Sequence, residues 1–101
     1  VGNVVGEKLW RLGRDHQVLC VTHLPQLAAF GDQHLRIQKE VSDGRTLTRL
    51  QELDDLQRLE ELAVMLGANS DASRTAARET LDTARRRAEQ LLAEYPRPAS
   101  S

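Results

Sequence analysis

Gln17-Val18-Leu19-Cys20-Val21-Thr22-His23-Leu24-Pro25-Gln26 is the stretch on which the reading of this chain turns. Its apolar run, rich in β-branched valine, has the pattern of a strand buried on both faces, and such strands belong to parallel sheets. The run stops at Thr22-His23 and turns at Pro25. Ligands of open α/β sheets bind outside the carboxyl ends of the strands, which makes His23 the first residue to consider for chemistry. Cys20, inside the run, reads as a small core hydrophobe; it is the single cysteine in the chain and has no internal disulfide partner.

On the amino-terminal side, Val1 to Gly13 reads as a helix with Val1, Val5, Leu9 and Leu12 on one stripe and Gly13 as its stop. Val4 and Trp10 fall outside that stripe, so Trp10 is either an inconsequential surface residue or faces a neighbour outside this sequence. No Ser, Thr or Asp cap opens this helix, and the start reads as cut. On the carboxyl side, Pro25 suits the first turn of a short helix running through Leu27-Ala28-Ala29-Phe30 to Gly31. Helix, strand and helix in close succession form the rhythm of an α/β unit supplying one parallel strand.

The period then changes to two. Leu35, Ile37, Lys39 and Val41 alternate with polar residues, Ser42-Asp43-Gly44-Arg45 supplies turn chemistry, and Thr46 to Leu50 resumes an extended pattern. Asp-Gly between two such runs signals a β-hairpin, and its charged outer positions suit a sheet edge. Asp54-Asp55 precede a helix with Leu56, Leu59, Leu62, Ala63 and Leu66 on one face and Gly67 at its end. The two aspartates read as caps and dipole partners rather than metal ligands, since no further ligand lies at a fitting spacing. A last helix starts at Ser70 or Asp71 and runs to about Glu94, with Ala77, Leu81, Ala84, Ala88, Leu91, Leu92 and Tyr95 on its stripe. Arg85-Arg86-Arg87 fan out around that helix instead of forming one patch; Asp82 is spaced to pair with Arg86, and Arg85 with Glu89. The tail, 96 to 101, has the composition of a disordered end.

Composition narrows the functional classes. The chain has 101 residues, 40% hydrophobic and 29% charged, ordinary for one globular domain. With 14 Lys and Arg against 15 Asp and Glu, the net charge is -1 and no global field attracts nucleic acid. Trp10, Phe30 and Tyr95 alone provide no stacking platform for a single strand. No apolar run approaches the roughly 20 residues that cross a bilayer, and no signal segment opens the chain, so a cytosolic protein is expected. His16, His23 and His34 share no metal spacing, and no GxxxxGK[ST] phosphate loop is present.

Val18-Leu19-Cys20-Val21-Thr22-His23-Leu24-Pro25-Gln26-Leu27-Ala28-Ala29 resembles the switch-histidine loop of the RecN family, bacterial DNA repair proteins related to the SMC proteins and carrying an ABC-type ATPase head. The resemblance continues through Gly44 to Arg49, Asp54 to Ala63, and Met65-Leu66-Gly67. It implies an α/β fold: residues 1–95 as the C-terminal lobe of a P-loop NTPase head of ABC/SMC type, incomplete as a domain, with helix-strand-helix, a β-hairpin and two C-terminal helices, followed by a disordered tail. The Walker A loop, signature motif, Walker B acidic residues and D-loop of the family would precede Val1, so the chain alone is expected to be inactive.

The same resemblance makes His23 the switch histidine, contacting the γ-phosphate of ATP held between two heads. ATP and Mg2+ would be bound by the complete head and not by this segment alone. The implied partners are the N-terminal lobe of the same head, a second head in an ATP-dependent dimer, and DNA through the full-length protein, with no membrane. The implied setting is DNA double-strand break repair and recombination in the bacterial cytoplasm, at the nucleoid. The alternative from another class is a non-enzymatic helical interaction module whose last helix docks its Ala-to-Leu stripe on a partner helix.

Overall fold

The computed structural model describes residues 2–94; Val1, Tyr95 and the tail, with what was expected of them, lie outside the described residues. Six elements follow in order: α1 (Gly2–Leu12), α2 (Pro25–Ala28), β1 (Leu35–Ser42), β2 (Arg45–Glu52), α3 (Asp55–Met65) and α4 (Asp71–Glu94). The core lies among α2, α3 and α4, where Ala29, Leu59, Leu62, Ala63, Ala77, Leu81 and Ala84 form one buried cluster. Alanines at 63, 77 and 84 keep the facing surfaces small, so the helix backbones approach while Leu62, 0% exposed, fills the space between them.

Local chemistry explains where the helices begin and end. Asp54 caps α3: its side chain accepts the Gln57 N–H at 2.8 Å, and the Gln57 side chain returns to the Asp54 N–H at 3.0 Å. This reciprocal capping box satisfies two amide groups that no helical partner reaches. Asp54-Asp55 therefore serve the helix start, as their sequence position implies. Ser70 does the same for α4, accepting from the Ser73 N–H at 3.2 Å.

β1 and β2 pair antiparallel in the register expected of an Asp-Gly hairpin, with Ser42 opposite Arg45 and Leu35 opposite Glu52. Asp43 and Gly44 both take positive φ, 51° and 74°, which a two-residue turn of the right twist requires and which glycine adopts without strain. Among the described residues this hairpin is the whole sheet. Ile37, Val41 and Leu50, which share one face, remain exposed.

The expected buried strand is not formed. Residues 17–23 have no regular secondary structure and, among the described residues, no backbone hydrogen bond to another element. Leu19 is 83% and Val21 86% exposed, and Cys20 is exposed rather than a core residue. The physical reason is that a strand's N–H and C=O groups need a neighbouring strand, and the two strands present are satisfied by each other. The α/β reading survives only as helices beside an antiparallel hairpin.

The buried face of α1 also departs from the expected stripe. Gly6 and Trp10 are buried, while Val5 and Leu12 are exposed. α1 lies on Phe30: a Cβ on Gly6 would collide with Cδ2 of that ring and stand 3.0 Å from Cε2. Trp10 has a neighbour inside the chain after all, the Arg14 guanidinium 3.9 Å from its ring centroid. In α3, Leu56 is exposed; in α4, Leu92 is exposed and Ala88 half-buried, so these stripes are narrower than their spacing suggests.

Candidate functional site

His23 stands in the unstructured crossing between α1 and α2, two residues before Pro25 opens α2. The local backbone is shaped by Thr22, whose Oγ1 accepts the Leu24 N–H at 3.0 Å. This side-chain turn closes around His23 and competes with any continuation of extended structure. Leu24 then precedes the helix in an extended conformation and Pro25 is buried, so the chain changes direction directly after the histidine. The imidazole is exposed and makes no hydrogen bond among the described residues.

The far end of α2 is held much more firmly. Arg58 of α3, 9% exposed, is the buried charged residue of the core. Its Nη2 donates to the carbonyl oxygens of Ala28 and Ala29, each at 3.1 Å, and of Gly31 at 2.6 Å. These carbonyls lie where a short helix stops, that of Ala28 also accepting the Gly31 N–H at 3.1 Å, and a cation is well matched to them. Burial, then the charge of Arg85, pushes the Arg58 guanidinium below its usual range, while Asp55 and Asp32 push it back. Arg14 grips the same turn from just after α1, reaching Asp32 Oδ2 at 3.1 Å and the Trp10 carbonyl at 3.2 Å through Nε.

The other sequence candidates do not join His23. His16 pairs with Asp15 at 2.7 Å in the turn after α1. His34 sits at the foot of β1 with Nδ1 buried and unpartnered; burial first, and Arg58 second, lower its pKa, with Glu61 opposing. Among the described residues no group of three or more His, Cys, Asp or Glu is placed to hold a metal ion. The Arg85-Arg87 run is spread as expected around α4, but with other partners: Arg87 pairs with Glu7 of α1 and with Gln90, and Arg86 approaches Thr83. Neither Asp82–Arg86 nor Arg85–Glu89 forms among the described residues. Sequence reasoning missed Arg58 and Thr22. An arginine inside the apolar stripe of α3 was the available signal for the first, and a hydroxyl two residues ahead of an N–H was the signal for the second.

Helices packed on one another and a separate antiparallel hairpin, with an exposed Thr-His turn between an unpaired apolar run and a clamped short helix, define an α/β segment whose most exposed apolar residues among those described lie next to its candidate site. No protein-family model matches the chain. Curated relatives do. It is 52% identical over 67 residues, 66% of its length, to "DNA repair protein RecN" of Xylella fastidiosa (strain 9a5c). The same-named protein of Bacillus subtilis (strain 168) is 39% identical over 92 residues, 91% of the chain, and that of Mycobacterium bovis 48% identical over 82 residues, 79% of the chain. The chain belongs to the RecN family of DNA repair proteins, as a C-terminal part of it. It spans 12% of the length of the first of these relatives and 14% of the other two. No helix among the described residues is long and apolar enough to cross a membrane.

Proposed function

We propose that this chain is the switch-histidine lobe of an ATP-hydrolysing, SMC-like head acting in DNA double-strand break repair and recombination, at the nucleoid in the bacterial cytoplasm. The observation that carries the reading is the coincidence of two kinds of incompleteness. His23 is exposed with an unengaged imidazole, and the apolar residues leading to it, Leu19 and Val21, are exposed without a sheet to enter. A neighbouring lobe that continued the sheet would bury that run and bring His23 to the edge of a nucleotide site. There, imidazole can donate to a phosphate oxygen, and positioning with charge stabilisation is most of what phosphoryl transfer asks of a protein. ATP, Mg2+ and the general base would be held by the rest of the head, and a second head would close the site.

The interaction-module alternative loses most of its docking face. Of the stripe that would meet a partner helix, Ala77, Leu81, Ala84 and Leu91 are already buried within the chain, which leaves Ala88 half-buried and Leu92 exposed.

The test is His23→Ala in a full-length RecN carrying this segment, with steady-state ATP hydrolysis as the readout. Removing a group that acts on the transferred phosphoryl lowers kcat by roughly 100-fold or more. Hydrolysis at the wild-type rate overturns the assignment.

A further inference from the structure

α2 is only four residues long, Pro25–Ala28. So short a helix has no stability of its own, and its orientation is whatever its surroundings impose. At one end it carries the His23 turn, where the Thr22 side chain accepts the Leu24 N–H and His23 itself makes no backbone hydrogen bond among the described residues. At the other it ends in three carbonyls gathered by one buried guanidinium. The segment that bears the histidine is therefore loose where it would meet substrate and fixed where it leaves. The fixed end is anchored to α3, which is itself locked into the core through Leu59, Leu62 and Ala63.

We propose that Arg58 is a positioning residue for His23: by holding the carbonyl oxygens of Ala28, Ala29 and Gly31 from α3, it sets the direction of α2 and hence where the histidine stands. This rests on the reading of His23 as a phosphate-contacting group. Arginine suits the task because Nη2, the one nitrogen that donates to all three carbonyls, belongs to a rigid planar group that stays charged, so packing of the guanidinium fixes its direction. Lysine carries its ammonium on a flexible four-carbon stem; it can donate to the same carbonyls but fixes their direction less firmly. Arg14 supports the same turn through Asp32, on the exposed side, and Phe30 fills the space beneath α1. Those contacts keep the turn packed when Arg58 is changed, so the loss is one of orientation.

The experiment is a double-mutant cycle on ATP hydrolysis by full-length RecN carrying this segment, with Arg58→Met and His23→Ala singly and together. Displacing a reacting group by about an ångström costs on the order of 100-fold. Arg58→Met is expected to lower kcat by roughly 10- to 100-fold with KM for ATP little changed, Arg58→Lys by less, and Arg58→Met to have no further effect on kcat once His23 is alanine. If the two losses multiply, Arg58 acts independently of His23 and the positioning role is overturned while the phosphate role of His23 stands. If His23→Ala leaves kcat unchanged, both readings fall. Should Arg58→Met not fold, as its melting profile would show, the same cycle with Arg58→Lys decides: non-additivity supports the coupling and multiplication removes it.

Discussion

Leu62 and Val21 are both aliphatic residues in apolar runs of the same chain, yet one is fully buried and the other 86% exposed. The regions around them differ in where their backbone hydrogen bonds go. Around Leu62 the chain is helical, each helix satisfies its own N–H and C=O groups, and packing of one apolar face against another completes the structure. Around Val21 the chain has the composition of a central strand, which stays incomplete until other strands flank it. On the proposed reading, the helical packing is complete within this chain while the exposed run is where a neighbouring lobe would pack.

The largest effect expected of this contrast lies in the packed region. Leu62→Ala leaves a cavity enclosed by α3 and α4 and lowers stability by about 2–5 kcal/mol, measured by urea unfolding of the 101-residue chain. A cost below about 1 kcal/mol would show the helices to be loosely associated, and the distinction between the two regions would collapse.

A smaller effect is expected at the margin between them, where α1 lies over the turn that follows α2. Gly6→Ala places a methyl group against the Phe30 ring, and the resulting displacement costs about 1–3 kcal/mol. The same unfolding measurement checks it. No loss at all would mean that α1 slides freely over Phe30 and contributes little to holding the His23 segment.

What could be read from residues alone follows the same division. Asp54, Asp43-Gly44 and Pro25 act within a few residues of themselves, so the cap of α3, the hairpin turn and the start of the short helix were all legible, while the return bond from Gln57 was added by the structure. The stripe of α4 was legible in its inner positions for the same reason. The run from Val18 to Val21 was read as a buried strand from its β-branched, apolar composition, but composition does not say whether a neighbouring strand is there to pair with it, and among the described residues none does. Arg58 was missed because periodicity treats an arginine as a surface residue, whereas the carbonyls it donates to lie 27 to 30 residues away in the chain. His23 was identified from its position after an apolar run and from family likeness, and the structure adds the Thr22 turn that surrounds it.

The smallest effect is the sharpest test of the comparison, because it is expected to change with context. Val21→Ser in the 101-residue chain alters an exposed side chain in an unpaired segment, so stability shifts by no more than about 0.5 kcal/mol. In full-length RecN carrying this segment, the same residue would sit in a completed sheet, where exchanging a buried valine for a polar side chain costs about 1.5–3 kcal/mol. The measurement is the difference between the two unfolding free energies, with Leu62→Ala carried alongside as a residue whose neighbours are already in place. Equal, small effects of Val21→Ser in both proteins would mean that the run remains uncovered in the whole molecule, and the exposed apolar residues would no longer argue for a neighbouring lobe. A cost that rises only in the full-length protein, while that of Leu62→Ala stays constant, would locate the missing packing at the strand leading to His23.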